Sequence, residues 1–423
     1  VRVLVIGRGG REHAIVWALK KSPQVKDLYC APGNAGIAEM AECVPIEENR
    51  FEELAQFARD AAIDLVVVGP EDPLFGGIAD YLEERGIAVF GPKSGAAAIE
   101  GSKVFAKHLM KKYGIPTAAY ETFESYEEAL AYLRRQKAPI VIKADGLAAG
   151  KGVTVAWTME QAEQALKEMM VDKVFGEAGT KVVIEEFLQG QEMSILAFVD
   201  GSVVRPMVPA QDHKPVYDND EGPNTGGMGT YSPVPHIPQE VVDEAIRTIV
   251  QPAAEALVKE GRPFRGVLFS GLMITDQGPK AIEFNCRFGD PETQVVLPRL
   301  ETDLADIMLA VVNGRLAEME ITWKEEAAVC VVLASGGYPG SYRKGIPIRG
   351  LDQVKDSIVF HAGTARKDGG IVTNGGRVLG VTALGATLEE ARKTAYADVA
   401  RIDFEGKHCR TDIALKALKA MQN

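Results

Sequence analysis

Cysteine and histidine are scarce in this chain, five and six among 423 residues, and neither is patterned. Cys30, Cys43, Cys286, Cys330 and Cys409 are an odd number, widely spread and without a CxxC pair. That argues against a disulfide framework and a structural zinc site, and fits free thiols in a reducing cytoplasm. The histidines form no HxxxH or HExxH metal motif. No apolar run nears the roughly 18 residues that span a bilayer. The chain opens on the strand-like run Val1-Arg-Val-Leu-Val-Ile6, not on a signal peptide. Positive charge is also in deficit, 47 Lys and Arg against 59 Asp and Glu, and the net −12 argues against nucleic acid as a partner. What remains is an ordinary globular composition, 46% hydrophobic and 25% charged, with length for roughly two to four domains.

What the chain does have is glycine placed at strand ends. Val1–Ile6 reads as a buried parallel strand, followed by Gly7-Arg-Gly-Gly-Arg-Glu-His13 and a helical pattern. Such a strand, loop and helix point backbone N–H groups at an anion. A dinucleotide fingerprint would need glycine at position 12, where Glu12 stands, and Arg8 and Arg11 suit a phosphate monoester better; a purely structural turn is the alternative. Asn49 with Glu52 reads as a helix cap. Asp64-Leu-Val-Val-Val-Gly69 is another buried strand, and Glu71 and Asp72 stand at its C-terminal end, where open α/β sheets bind ligands.

Lys103 falls in the first turn of a helix, a position the macrodipole disfavours for a cation unless it reaches an anion. Pro139-Ile-Val-Ile-Lys143, the loop Gly146-Leu-Ala-Ala-Gly-Lys-Gly152 and Val153–Trp157 read as a hairpin able to fold over a triphosphate. It is not a Walker loop. Glu185 and Glu192 lie at the ends of a short polar link that can read adenine through its backbone and ribose through a carboxylate. Gly222–Tyr231, with little β propensity, reads as a long functional loop. The strand Ala281-Ile-Glu-Phe-Asn285 alternates, so Glu283 and Asn285 share one face and offer hard oxygen ligands to Mg²⁺. Arg287 follows, a fork suited to carboxylate or phosphate, and Gly289-Asp-Pro291 turns the chain. The bland alternative makes Glu283 an edge-strand charge paired with Arg287.

These motifs, together with Ala31-Pro-Gly-Asn34, Ala210-Gln-Asp-His-Lys214, Pro223-Asn-Thr-Gly-Gly-Met-Gly229 and Glu283–Gln294, resemble the ATP-grasp superfamily and, within it, the phosphoribosylamine–glycine ligase family. The resemblance spans essentially the whole chain. It implies an α/β protein: an N-terminal doubly wound parallel-sheet domain (1–101), a central ATP-grasp domain (102–122 and 190–324) with a mobile lid (123–189), and a small C-terminal α+β domain (325–423). It further implies that ATP, glycine and 5-phosphoribosylamine give glycinamide ribonucleotide through glycyl phosphate, in a monofunctional cytoplasmic monomer of purine synthesis.

By the same resemblance Lys103, Lys143, Gly150, Lys151 and Gly152 hold ATP phosphates, and Glu185, Leu188 and Glu192 hold adenine and ribose. Glu283 and Asn285 hold Mg²⁺ or Mn²⁺. Gly9, Gly10, Asn34, Glu71 and Asp72 face phosphoribosylamine, while Asp212, Arg287 and Asp290 line the glycine and acyl-phosphate region. One departure stands out. Carboxylase-type members have a further metal-binding acid on the preceding strand, which here reads Ser270-Gly-Leu272. Two rival classes are a bicarbonate-using ATP-grasp enzyme and a non-catalytic nucleotide sensor.

Overall fold

A computed structural model describes residues 1–146 and 152–423. The N-terminal sheet has five parallel strands in the order Glu42–Cys43, Asp27–Pro32, Arg2–Gly7, Leu65–Val68, Val89–Phe90. Val3–Ile6 and Leu65–Val68 are apolar at every position and buried, as strands covered on both faces require. The order reverses at Arg2–Gly7, so the loops after Gly7, Pro32 and Val68 open on one crevice. The helix after Asn49 starts at Phe51 with Arg50 at its N-cap and no side-chain cap, so the expected Asn49 cap does not form.

Four antiparallel strands form the lid sheet, ordered Tyr120–Phe123, Val182–Glu186, Ile140–Ala144, Val153–Ala156. One face packs on the helices Tyr126–Leu133 and Met159–Met170, whose N-caps Ser125 and Thr158 accept from the backbone N–H of Glu128 and Gln161. The other face carries Lys143, Val153 and Glu185. A second antiparallel sheet, Val203–Pro206, Gln191–Asp200, Arg265–Thr275, Gly278–Asn285, forms the floor beneath it.

The C-terminal sheet corrects one expectation. Its order is Gln211–Asp212, Gly229–Ser232, Ala327–Ala334, Arg377–Gly385, Ile358–His361, with the helix Leu388–Val399 packed on it. The glycine-rich stretch expected to be loop throughout therefore contains a strand, Gly229–Ser232, and a short hairpin pairing Pro215–Tyr217 with Glu221–Asn224. Pairing with Ala327–Ala334, nearly 100 residues away, overrides local propensity there. All five cysteines are free thiols. Among the described residues no helix is long and apolar enough to cross a membrane.

Candidate active site

Three lysines converge between lid and floor. Lys103 and Lys107 come from the helix Lys103–Tyr113, whose N-cap Ser102 accepts from Phe105 N, and Lys143 comes from the lid strand. With Glu100, Glu283 and Asn285 they line a cleft. Asp145 accepts from Val104 N at 3.2 Å, placing a carboxylate at the helix start where the dipole favours an anion. Burial lowers the Lys103 ammonium pKa, against the pull of Glu283. A desolvated ammonium of this kind binds phosphate strongly because water competes poorly for it.

Glu185, expected with Leu188 and Glu192 to hold adenine and ribose, is paired with two lysines. Its buried carboxylate lies 2.6 Å from Lys143 Nζ and 2.7 Å from Lys107 Nζ. Burial works to raise its pKa, but the two ammonium groups outweigh it and hold the carboxyl below its ordinary range. Lys107 also donates to Thr117 Oγ1 at 2.7 Å, which donates in turn to Ala281 O, so the chain of contacts ties lid to floor. Sequence reasoning missed Lys107. Its only signal is i+4 spacing from Lys103 on the same helix. Gly150 and Lys151 lie outside the described residues; Gly152 O accepts from Ala144 N at the lid's edge.

Glu283 and Asn285 pair across the floor with Gly271 and Phe269, so they share a face, as alternation required. Asn285 Nδ2 donates to Phe284 O at 3.0 Å, which leaves Oδ1 to face a ligand. The donor set is one carboxylate and one amide oxygen, and among the described residues no group of three His, Cys, Asp or Glu side chains could hold a metal. That fits a small hard cation completed by phosphate oxygens rather than an all-protein cage. A Cβ on Gly271 would lie 3.2 Å from Glu283 Cγ, so Gly271 packs closely opposite Glu283.

On the N-terminal side, Glu12 folds back to accept from Gly9 N at 2.8 Å and packs against Gly7 and Gly69. Its side chain takes up the close helix–strand packing that the third glycine of a dinucleotide fingerprint would allow. Arg8 is paired with Glu47 and Glu48 at the surface. The Asn34 amide holds its own neighbourhood, donating to Arg8 O and His361 O and accepting from Gly36 N and Ile37 N. Asp72 is exposed in the helix Glu71–Phe75. Arg287 is buried, with Nε 3.2 Å from Glu71 and Nη2 3.1 Å from Glu100. Burial opposes charge on Arg287, but Glu100 and Glu71 outweigh it and raise its pKa. Glu100 is a second member of the cluster that sequence reasoning passed over.

Asp212 and Pro291, the residue after Asp290, both pack against Gly227. Asp212 accepts from His213 N at 2.6 Å and pairs with Lys214 at 3.4 Å. Asp290 accepts from Arg11 N at 3.2 Å and from Gln294 Nε2 at 2.7 Å. Burial would raise the Asp290 pKa, yet Arg377 and Arg11 hold it low. Glu292, buried beside Asp212, behaves oppositely: burial and the Asp212 charge push it up to about 8. Glu192 is exposed near the start of the strand Gln191–Asp200. Leu188 sits in the link between lid and floor, between the strands Val182–Glu186 and Gln191–Asp200.

A lid sheet and a floor sheet closing on clustered lysines, beside a hard-cation face, define the ATP-grasp class. Comparison with known proteins places the chain more narrowly. Family models described as phosphoribosylglycinamide synthetase match it over residues 1–100 (N domain), 101–293 (ATP-grasp domain) and 328–416 (C domain). A phosphoribosylamine–glycine ligase of Caldanaerobacter subterraneus is 52% identical over 98% of this chain and 99% of its own length. That of Vibrio parahaemolyticus is 49% identical over the whole of both. The crystal structure of the Thermotoga maritima phosphoribosylamine–glycine ligase superposes with TM-score 0.86 at 39% identity, covering 97% of this chain and 100% of that one. A Hydrogenobacter thermophilus biotin carboxylase domain, 17% identical with TM-score 0.73 over 100% of this chain and 94% of its own, shares the fold alone. The chain belongs to the phosphoribosylglycinamide synthetase family.

Proposed function

We propose that this chain ligates glycine to 5-phosphoribosylamine, with ATP converted to ADP and phosphate, in purine biosynthesis. The observation that supports it most is the meeting of Lys103, Lys107 and Lys143 with Glu283 and Asn285 in one cleft. No protein nucleophile is needed. A glycine carboxylate oxygen attacks the γ-phosphorus and ADP leaves; the amine of phosphoribosylamine then attacks the glycyl carbonyl, loses a proton and expels phosphate. Catalysis is positioning and charge stabilisation.

In this reading Lys103 and Lys143 bind phosphate oxygens, together with Gly150, Lys151 and Gly152. The backbone near Glu185 and Leu188 meets adenine and Glu192 meets ribose. Glu283 and Asn285 would hold Mg²⁺ or Mn²⁺, which supplies charge neutralisation at the phosphates. Asp212 and Asp290 face the ammonium of glycine and Arg287 its carboxylate, a pairing of opposite charges. Gly9, Gly10, Asn34, Glu71 and Asp72 border the phosphoribosylamine side. The scatter of unpaired cysteines supports a cytoplasmic setting. Completion of the cleft by three parts of one chain supports a monomer.

The test is phosphate release from ATP with each component omitted in turn. Release should need divalent cation, glycine and phosphoribosylamine together. Full activity without glycine would overturn the reading.

A further inference from the structure

The C-terminal domain does more than close the fold, because one of its side chains reaches the Gly226-Gly227 backbone and the turn that carries Asp290. Arg377 opens the strand Arg377–Gly385, just after the turn Asn374-Gly-Gly376. Its Nη1 donates to Asp290 O at 3.1 Å and to Gly227 O at 3.4 Å, and lies 3.8 Å from the Asp290 carboxylate. A Cβ on Gly226 would sit 2.9 Å from Cζ and Nη2, so the guanidinium lies flat on that glycine. On the far side of Gly227, a Cβ would stand 2.7 Å from Asp212 Oδ1. One fork therefore joins the backbone behind Asp212 to the turn that presents Asp290.

Two neighbours reinforce the clamp from the same domain. Tyr338 OH accepts from Gly226 N at 3.1 Å, and Thr382 Oγ1 donates to Gln294 O at 3.0 Å, while Gln294 Nε2 donates to Asp290. Burial opposes charge on Arg377, but Asp290, with Tyr338, Asp212 and Glu292 behind it, outweighs that effect, so the guanidinium stays charged where Asp290 needs a counter-ion. A lysine could supply the charge but not the flat stack and the forked donors.

We propose that Arg377 is a positioning residue of the amino-acid pocket, through which the C-terminal domain sets the separation of Asp212 and Asp290. This rests on the proposed placement of glycine between those carboxylates. Arg377 touches backbone and Asp290, and acts on glycine through them.

The experiment is steady-state kinetics and melting of the full chain carrying Arg377→Met, Arg377→Lys or, as a control in the same domain, Arg349→Ala, which breaks an exposed pair with Asp403. Arg377→Met should raise KM for glycine by at least about tenfold while KM for ATP stays within about twofold. Arg377→Lys should recover part of that loss, and Arg349→Ala should match the parent. An unchanged KM for glycine overturns the proposal. So does a proportional rise in all KM values with a lowered Tm, the outcome of a merely structural tie. Glycine-independent turnover by the parent would instead overturn the proposed function, so the two failures are distinguishable.

Discussion

Glu185→Gln is the perturbation that separates two roles for one carboxylate. The side chain is buried between Lys107 and Lys143, at 2.7 and 2.6 Å. Neutralising it leaves two ammonium groups in a low-dielectric site without their shared counter-charge. Breaking a buried pair by removing one partner typically costs about 3–5 kcal/mol. Removing a cation at the same time should relieve part of the penalty. Lys107→Met in the Glu185→Gln background should therefore cost less than the sum of the single changes, by on the order of 1–3 kcal/mol. The assay is denaturant melting of the four proteins in the cycle, with KM for ATP measured alongside. If Glu185 instead served chiefly to read ribose, the substitution would raise KM for ATP with little loss of stability and no coupling to Lys107. That result would refute the ion-pair account.

Other outcomes follow from the same geometry. Glu283→Gln should cut turnover by orders of magnitude while leaving Tm nearly unchanged, since the Glu283 carboxylate borders the cleft; equal loss of both would make it a structural charge. Arg287→Ala should lose stability as well, by about 3–5 kcal/mol in denaturant melts, because Glu100 would be left buried without its cation. Glu292 keeps its proton in the folded chain up to about 8, whereas the unfolded chain releases it near 4.5, so its contribution to stability is present at low pH and lost as pH rises across that window. Glu292→Gln should match the parent near about pH 4.5 and exceed it by up to a few kcal/mol near about pH 9; parallel pH–stability curves would contradict this.

Much of the site was legible because its chemistry is local. Glu283 and Asn285 share a face by alternation alone, and the loops after Gly7 and Val68 sit where a parallel sheet opens. The caps at Ser125 and Thr158 follow from residues three apart. What escaped was set by long-range contact. Lys107 matters because a lid strand brings Glu185 beside it, and Arg377 because a C-terminal strand ends against Gly226. The Gly229–Ser232 strand exists because Ala327–Ala334 pairs with it. No short window contains those partners. The missing acid at Ser270-Gly-Leu272 was legible directly from the residues.

The central claim is that the glycine carboxylate is activated as a phosphate before the amine attacks. Oxygen transfer tests it directly. With glycine carrying ¹⁸O in its carboxylate, the released phosphate should contain one labelled oxygen for each amide formed, measured by mass spectrometry. Phosphate without label, released at the rate of amide formation, would contradict the account.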